Sequence, residues 1–344
     1  MEKTDKWKMA SHLHKAIRHG RPDDAEQGVR WLLDVDPAYA RYRMAVIAVE
    51  DVAAGSPGLI AEAFSGGWTR AHLYTAGPDF LIEQARSWAE AVKDRTPCAW
   101  ISCVRFLEPF EREHGPWPLV TLGKARRMAF DTSRPWWERG LAAWRAVGSN
   151  VFRSRALPSI PGDWDTYVYE ASQLGLPEDL MACMRTGGKV QGEAHPIFLP
   201  LAGQAHQEEK VSLVSRDIPS LGYAGPWLSA SLDIHTSEGK RALSDLLRSR
   251  RDWVRELSQG SSCKSVEEAV GRLWFWMEGG LLDRHLAYPT SQVIDEDTKL
   301  AIMQKLRVNP QRLFETFGHD MPSWHASRER FVAQSPRQAP PNPS

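Results

Sequence analysis

The chain has little cysteine, no long apolar run and no excess charge of either sign. Four cysteines among 344 residues make no disulfide framework, so a reducing compartment is expected. No run of 18 apolar residues occurs, which excludes a bilayer-spanning helix. The start, Met1-Glu-Lys-Thr-Asp-Lys-Trp-Lys8, lacks an apolar secretory segment, and a cytoplasmic setting is expected. Lys plus Arg and Asp plus Glu are both 43, so a basic coat for nucleic acid is ruled out while a local basic face is not. Catalytic signatures are missing too. The nearest approach to a phosphate loop is Gly187-Gly188-Lys189, but Cys183 stands where its first glycine belongs and Val190 where Ser or Thr belongs. No Gly-x-Ser-x-Gly elbow and no His-Glu-x-x-His occurs. The expectation is a chain that is not an enzyme and takes no nucleotide, metal or cofactor.

What is present reads as helix after helix, a mainly α fold. Leu13 and Ile17 share a face and Gly20 stands at a C-cap position. Prolines 22, 37, 57, 78 and 97 each open a further helical pattern. Spacing predicts helices over 122–130, 135–147, 163–174, 177–184, 238–257, 266–277, 295–304 and 310–317. Residues 1–9 read as a tail and 10–113 as a helical bundle. The stiff His114-Gly-Pro-Trp-Pro118 marks a boundary, and 114–335 reads as a second helical region. Its segment 186–231 reads as an irregular insertion of loops with a short hairpin, and 336–344 as a disordered tail.

Several residues invite chemistry. Asp233-Ile-His235-Thr-Ser-Glu238 reads first as a helix cap, with Thr236 or Ser237 as the N-cap. The alternative is a hydrolase or metal-dependent enzyme centred on Asp233, His235 and Glu238, which needs a third partner in space. His12 and His14 face different ways on a helix and read as surface or partner-contacting groups. Cys98 and Cys103 diverge by about 140° on a helix, which argues against a shared metal. Fifteen tryptophans are many. Adjacent Trp136 and Trp137 point apart, so one is expected in the core and the other exposed as an interface anchor or a base-stacking platform. Short basic clusters, with Lys15, Arg18 and Arg21, with Lys124, Arg126 and Arg127, and with Arg248, Arg250 and Arg251, are candidate nucleic-acid or partner contacts.

The ordered run Leu13-His-Lys-Ala-Ile-Arg-His-Gly-Arg-Pro-Asp-Asp-Ala25, then Trp31-Leu-Leu33, Asp36-Pro37, and Arg41-Tyr-Arg through Glu50-Asp51-Val52 carries more than a helical period. It resembles the helical C-terminal collar of clamp-loader-like AAA+ ATPases of the replication-associated recombination protein A type, over residues 10–113. The resemblance implies a helical oligomerisation scaffold in DNA replication, repair or phage or plasmid maintenance. The ATP-hydrolysing module of that family has no counterpart motif here. The positions that carry over are structural: Lys15, Arg18, Glu50 and Asp51. Two adjacent acids ending an apolar helix need partners if buried, and Lys15, Arg18, Arg41 and Arg43 are the expected ones. The function expected is that of a non-enzymatic accessory protein docking a protein partner or itself, with DNA contact as the alternative and no membrane.

Overall fold

The computed structural model describes residues 3–65, 77–105, 120–149, 160–191, 194–218, 222–258 and 260–334. The fold is mainly α. Helices α1 (Lys3–Arg18) and α2 (Pro22–Val35) form an antiparallel pair, turned by Gly20 at φ +66°. The first helix begins within the expected tail because Met9 and Ala10 extend its buried stripe. Asp36 caps α3 (Pro37–Ile47) by accepting from the Tyr39 N–H. That helix passes into a π-turn, Ala48–Val52, closed by Ala53 N–H donating to the Ala48 carbonyl at 2.7 Å. There follow α4 (Pro57–Ser65), α5 (Pro78–Glu90), α6 (Thr96–Trp100) and α7 (Ser102–Arg105). The far end of the helical pattern opened by Pro97 and the 114–118 break lie outside the described residues.

Next come α8 (Leu122–Phe130), α9 (Trp136–Val147), α10 (Trp164–Ser172) and α11 (Glu178–Gln191). Part of the segment expected to be irregular is helical. A 3-10 turn, His195–Phe198, leads into α12 (Leu199–Glu208), whose face from Leu199 to Ala205 is wholly buried. Pro200 occupies that helix's first turn, where a missing N–H costs nothing, so it starts the helix instead of breaking the chain. The expected hairpin is β2 (Tyr223–Ala224) with β3 (Trp227–Leu228); β1 (Ser212–Ser215) precedes it. A second set follows: α13 (Ser237–Ser249), α14 (Arg251–Leu257), α15 (Cys263–Met277), β4 (Arg284–Ala287), α16 (Pro289–Leu306), α17 (Pro310–Phe317) and α18 (Met321–Gln334). β1 pairs antiparallel with β4, and Lys93 adds a bridge on the other side at His285. The tail from 336 lies outside the described residues.

The apolar interior divides at 233–241, not near 113. One core runs from Met9 to Leu232; a second is built from Ala242 to Trp324. The first crosses the sequence boundary because α9 lies on α6 and α7, where Gly140 lets Trp100 and Cys103 approach its backbone. Helix α16 serves both cores, giving Ile294 and Ala301 to the first and Ile302 and Met303 to the second. Trp136 and Trp137 are both buried. Two adjacent residues that point apart can both be covered when a helix has neighbours on several sides, and α9 touches α6, α7, α8, α10 and the 3-10 turn.

Candidate functional site

A cavity of about 910 Å³ lies between the two cores. One wall is the α1 face with Trp7, Ser11, His14, Lys15 and Arg18, spaced three or four apart and so on one side of the helix. Tyr39 and Arg43 of α3 extend it. The opposite wall is Arg272, Phe275 and Trp276 of α15, with His235 and Lys240 at the start of α13. Arg216 beyond β1 and His285 of β4 close one end.

The floor is a buried ionic network. Arg18 donates from Nη2 to Glu50 Oε1 at 2.7 Å and from Nε to Asp51 Oδ2 at 2.9 Å. Arg95 reaches Asp51 Oδ1 at 2.8 Å and Glu50 Oε1 at 3.5 Å. The π-turn widens the helix where these two acids sit, and both carboxylates meet the same pair of guanidinium groups. The Asp94 N–H donates to the Asp51 carbonyl at 2.8 Å, and Lys93 pairs its backbone with β4, which fixes Arg95 over the acids. Burial pushes the Asp51 carboxyl up, but Arg18 and His14 outweigh it and hold the group well below the ordinary carboxylate range. His14 stands between Asp51 Oδ2 at 2.6 Å from Nε2 and the Arg43 guanidinium at 2.5 Å from Nδ1. Arginine only donates, so Nδ1 accepts and Nε2–H donates to Asp51. Burial, aided by Arg18, lowers the ring to about 3, so it is neutral at ordinary pH.

Two ligand-like groupings occur among the described residues: Glu50 with Cys98 and His195, and His14 with Glu50 and Asp51. Arg18 and Arg95 already neutralise these carboxylates at contact distance, and a cation would have to displace them. The expectation of diverging Cys98 and Cys103 fits their surroundings: Cys98 is beside Glu50, whereas Cys103 is buried near Gly140. Burial pushes the Cys103 thiol far up, which makes it inert.

The expected site residues scatter across several roles. Arg18 takes the partners foreseen for it, Glu50 and Asp51. Lys15 does not: its ammonium is buried against Asp233 Oδ2 at 2.8 Å. Arg43 meets His14 instead of an acid. Arg41 lies half-buried on α3. The two histidines expected at the surface are buried; His12 Nδ1 accepts the Leu228 N–H at 3.1 Å while its ring packs on Trp31, and His14 faces the other way. Thr236 is the N-cap of α13, accepting from Gly239 N–H at 3.1 Å. Asp233 touches His235 Nδ1 at 3.1 Å, but Glu238 turns to Lys8 at 3.1 Å and does not join them. Burial raises the Asp233 carboxyl, and Lys15 more than reverses it.

The basic clusters are mostly spent locally. Arg21 pairs with Asp24, Arg126 with Glu170, Arg248 with Asp245 and Arg250 with Asp320. Lys124, Arg127 and Arg251 are exposed. With both rings buried, Trp136 and Trp137 offer no free face for bases or a partner; Trp136 donates its indole N–H to Asp297 at 2.6 Å. The sequence reading missed Arg95, Arg216, Lys240 and Arg272.

No protein-family model, curated protein or solved structure matches this chain. No helix among the described residues is long and apolar enough to cross a membrane.

Proposed function

We propose that the protein is a non-enzymatic accessory protein of DNA replication, repair or mobile-element maintenance, working as a helical docking scaffold. One observation carries the reading. The four positions that the collar resemblance carries over, Lys15, Arg18, Glu50 and Asp51, are all engaged in buried ion pairs that tie elements together. Such pairs hold architecture, and they leave no carboxylate among the four open to act as a general base. The enzyme alternative has less support, because Asp233 is neutralised by Lys15 and Glu238 is held by Lys8. On the second core's outer side, Trp253 and Phe314 are exposed aromatic anchors of the kind docking surfaces use.

The test is size-exclusion chromatography with light scattering, alone and with labelled single-stranded DNA. The reading expects a defined oligomer. A monomer at every concentration, unchanged by DNA, contradicts it.

A further inference from the structure

The cavity between the cores holds more cation than its floor consumes. Lys15 is answered by Asp233, Arg18 and Arg95 by Glu50 and Asp51, and Lys299 by Asp295 at 2.6 Å. The remaining carboxylate on the wall, Asp94, already accepts from the Tyr288 hydroxyl and from His206, each at 2.9 Å. Arg43, Arg216 and Lys240 have no carboxylate within 4.0 Å among the described residues, and Arg272 has only Glu268 at 3.5 Å on its exposed side. Aromatic rings line the same space: Trp7, Tyr39, Phe275 and Trp276, with Trp7 56% exposed.

We infer that this cavity is a binding site for a nucleoside phosphate, its phosphate drawn to the uncompensated cations among Arg43, Arg272, Lys240 and Arg216 and its base laid against the aromatic rings of the lining. Planar guanidinium groups suit phosphate oxygens, and a ring face suits any base. A volume of about 910 Å³ is ample for a nucleotide and leaves room for part of a strand. The absent phosphate loop removes one route to nucleotide hydrolysis; it does not forbid a nucleotide bound in this way. The inference gives the proposed scaffold a ligand and rests on that reading for its DNA setting.

The test is calorimetric titration of the full chain with thymidine, inorganic phosphate, thymidine monophosphate and a short oligothymidylate. The monophosphate and the oligonucleotide are expected to bind, with thymidine and phosphate alone much weaker. Tighter binding of the oligonucleotide identifies a strand as the source of the phosphate; equal binding identifies the mononucleotide. The exposed-site variants Lys240→Glu and Arg216→Glu should each weaken binding by about tenfold or more, with unchanged melting. Arg272→Gln should weaken the monophosphate, and Trp7→Ala should weaken it while leaving any affinity for inorganic phosphate unchanged. Binding of none of the probes overturns the site, as does inorganic phosphate binding as tightly as the monophosphate, or affinity untouched by the charge reversals. An oligomer that binds no nucleotide would remove this site and keep the scaffold; a nucleotide-binding monomer that never assembles would do the reverse.

Discussion

His12 and His14 show how burial, with nearby guanidinium groups, sets a charge state. Burial lowers both to about 3, against an ordinary value near 6.5. The unfolded chain takes up protons on these rings below about pH 6.5 while the folded one does not. Their contribution is therefore complete above the unfolded value and is lost as pH falls toward 3. Asp51 and Asp233, held below the ordinary range, act in the same direction at still lower pH. The folded state should be acid-labile, and His14→Gln should flatten the dependence. Urea midpoints at about pH 7.5 and about pH 5 decide it. An identical drop in wild type and variant would show that His14 titrates alike in both states. The His14 environment was not legible in the sequence, because its partners lie 29 and 37 residues away in the chain.

Helix α1 meets α2 at Gly28, where an added methyl would stand 2.9 Å from the Leu13 Cα. Gly28→Ala should force the pair apart and cost about 1–3 kcal/mol, read as a lower denaturation midpoint. A midpoint equal to wild type would mean that the crossing has slack. At this scale much was legible. Helices α8 and α17 lie where spacing and caps put them, and prolines mark the starts of α2, α3, α4 and α5. What was hidden has physical causes. Pro200 looks the same in a helix's first turn as in a loop. The β1–β4 ladder joins Ser212 to Ala287, a pairing that no local pattern encodes. The π-turn at Ala48–Val52 has no spacing signature either, yet it brings Glu50 and Asp51 to the same cations.

Across the whole molecule, the two cores are clasped by buried polar contacts. Lys15 reaches Asp233 at 2.8 Å, and Lys93 donates to Asp283 at 2.7 Å. Lys15→Met leaves the Asp233 charge buried with its main partner gone, at a cost of about 3–5 kcal/mol. Because the pair joins the first core to the approach of α13, the loss should loosen one core from the other. Hydrogen exchange should speed first in α13 and in β4; uniform exchange across both cores would contradict that division. The sequence revealed that Glu50 and Asp51 need cations and that Arg18 is one. It could not reveal Arg95, which the Lys93–His285 bridge carries into place.

The central claim is that the polar floor is architecture. A double-mutant cycle on Arg18→Met and Asp51→Asn, followed by equilibrium unfolding, tests it most directly. Each single variant should lose about 3–5 kcal/mol, and the double variant should lose clearly less than the sum. Single variants as stable as wild type, or losses that simply add, would contradict it.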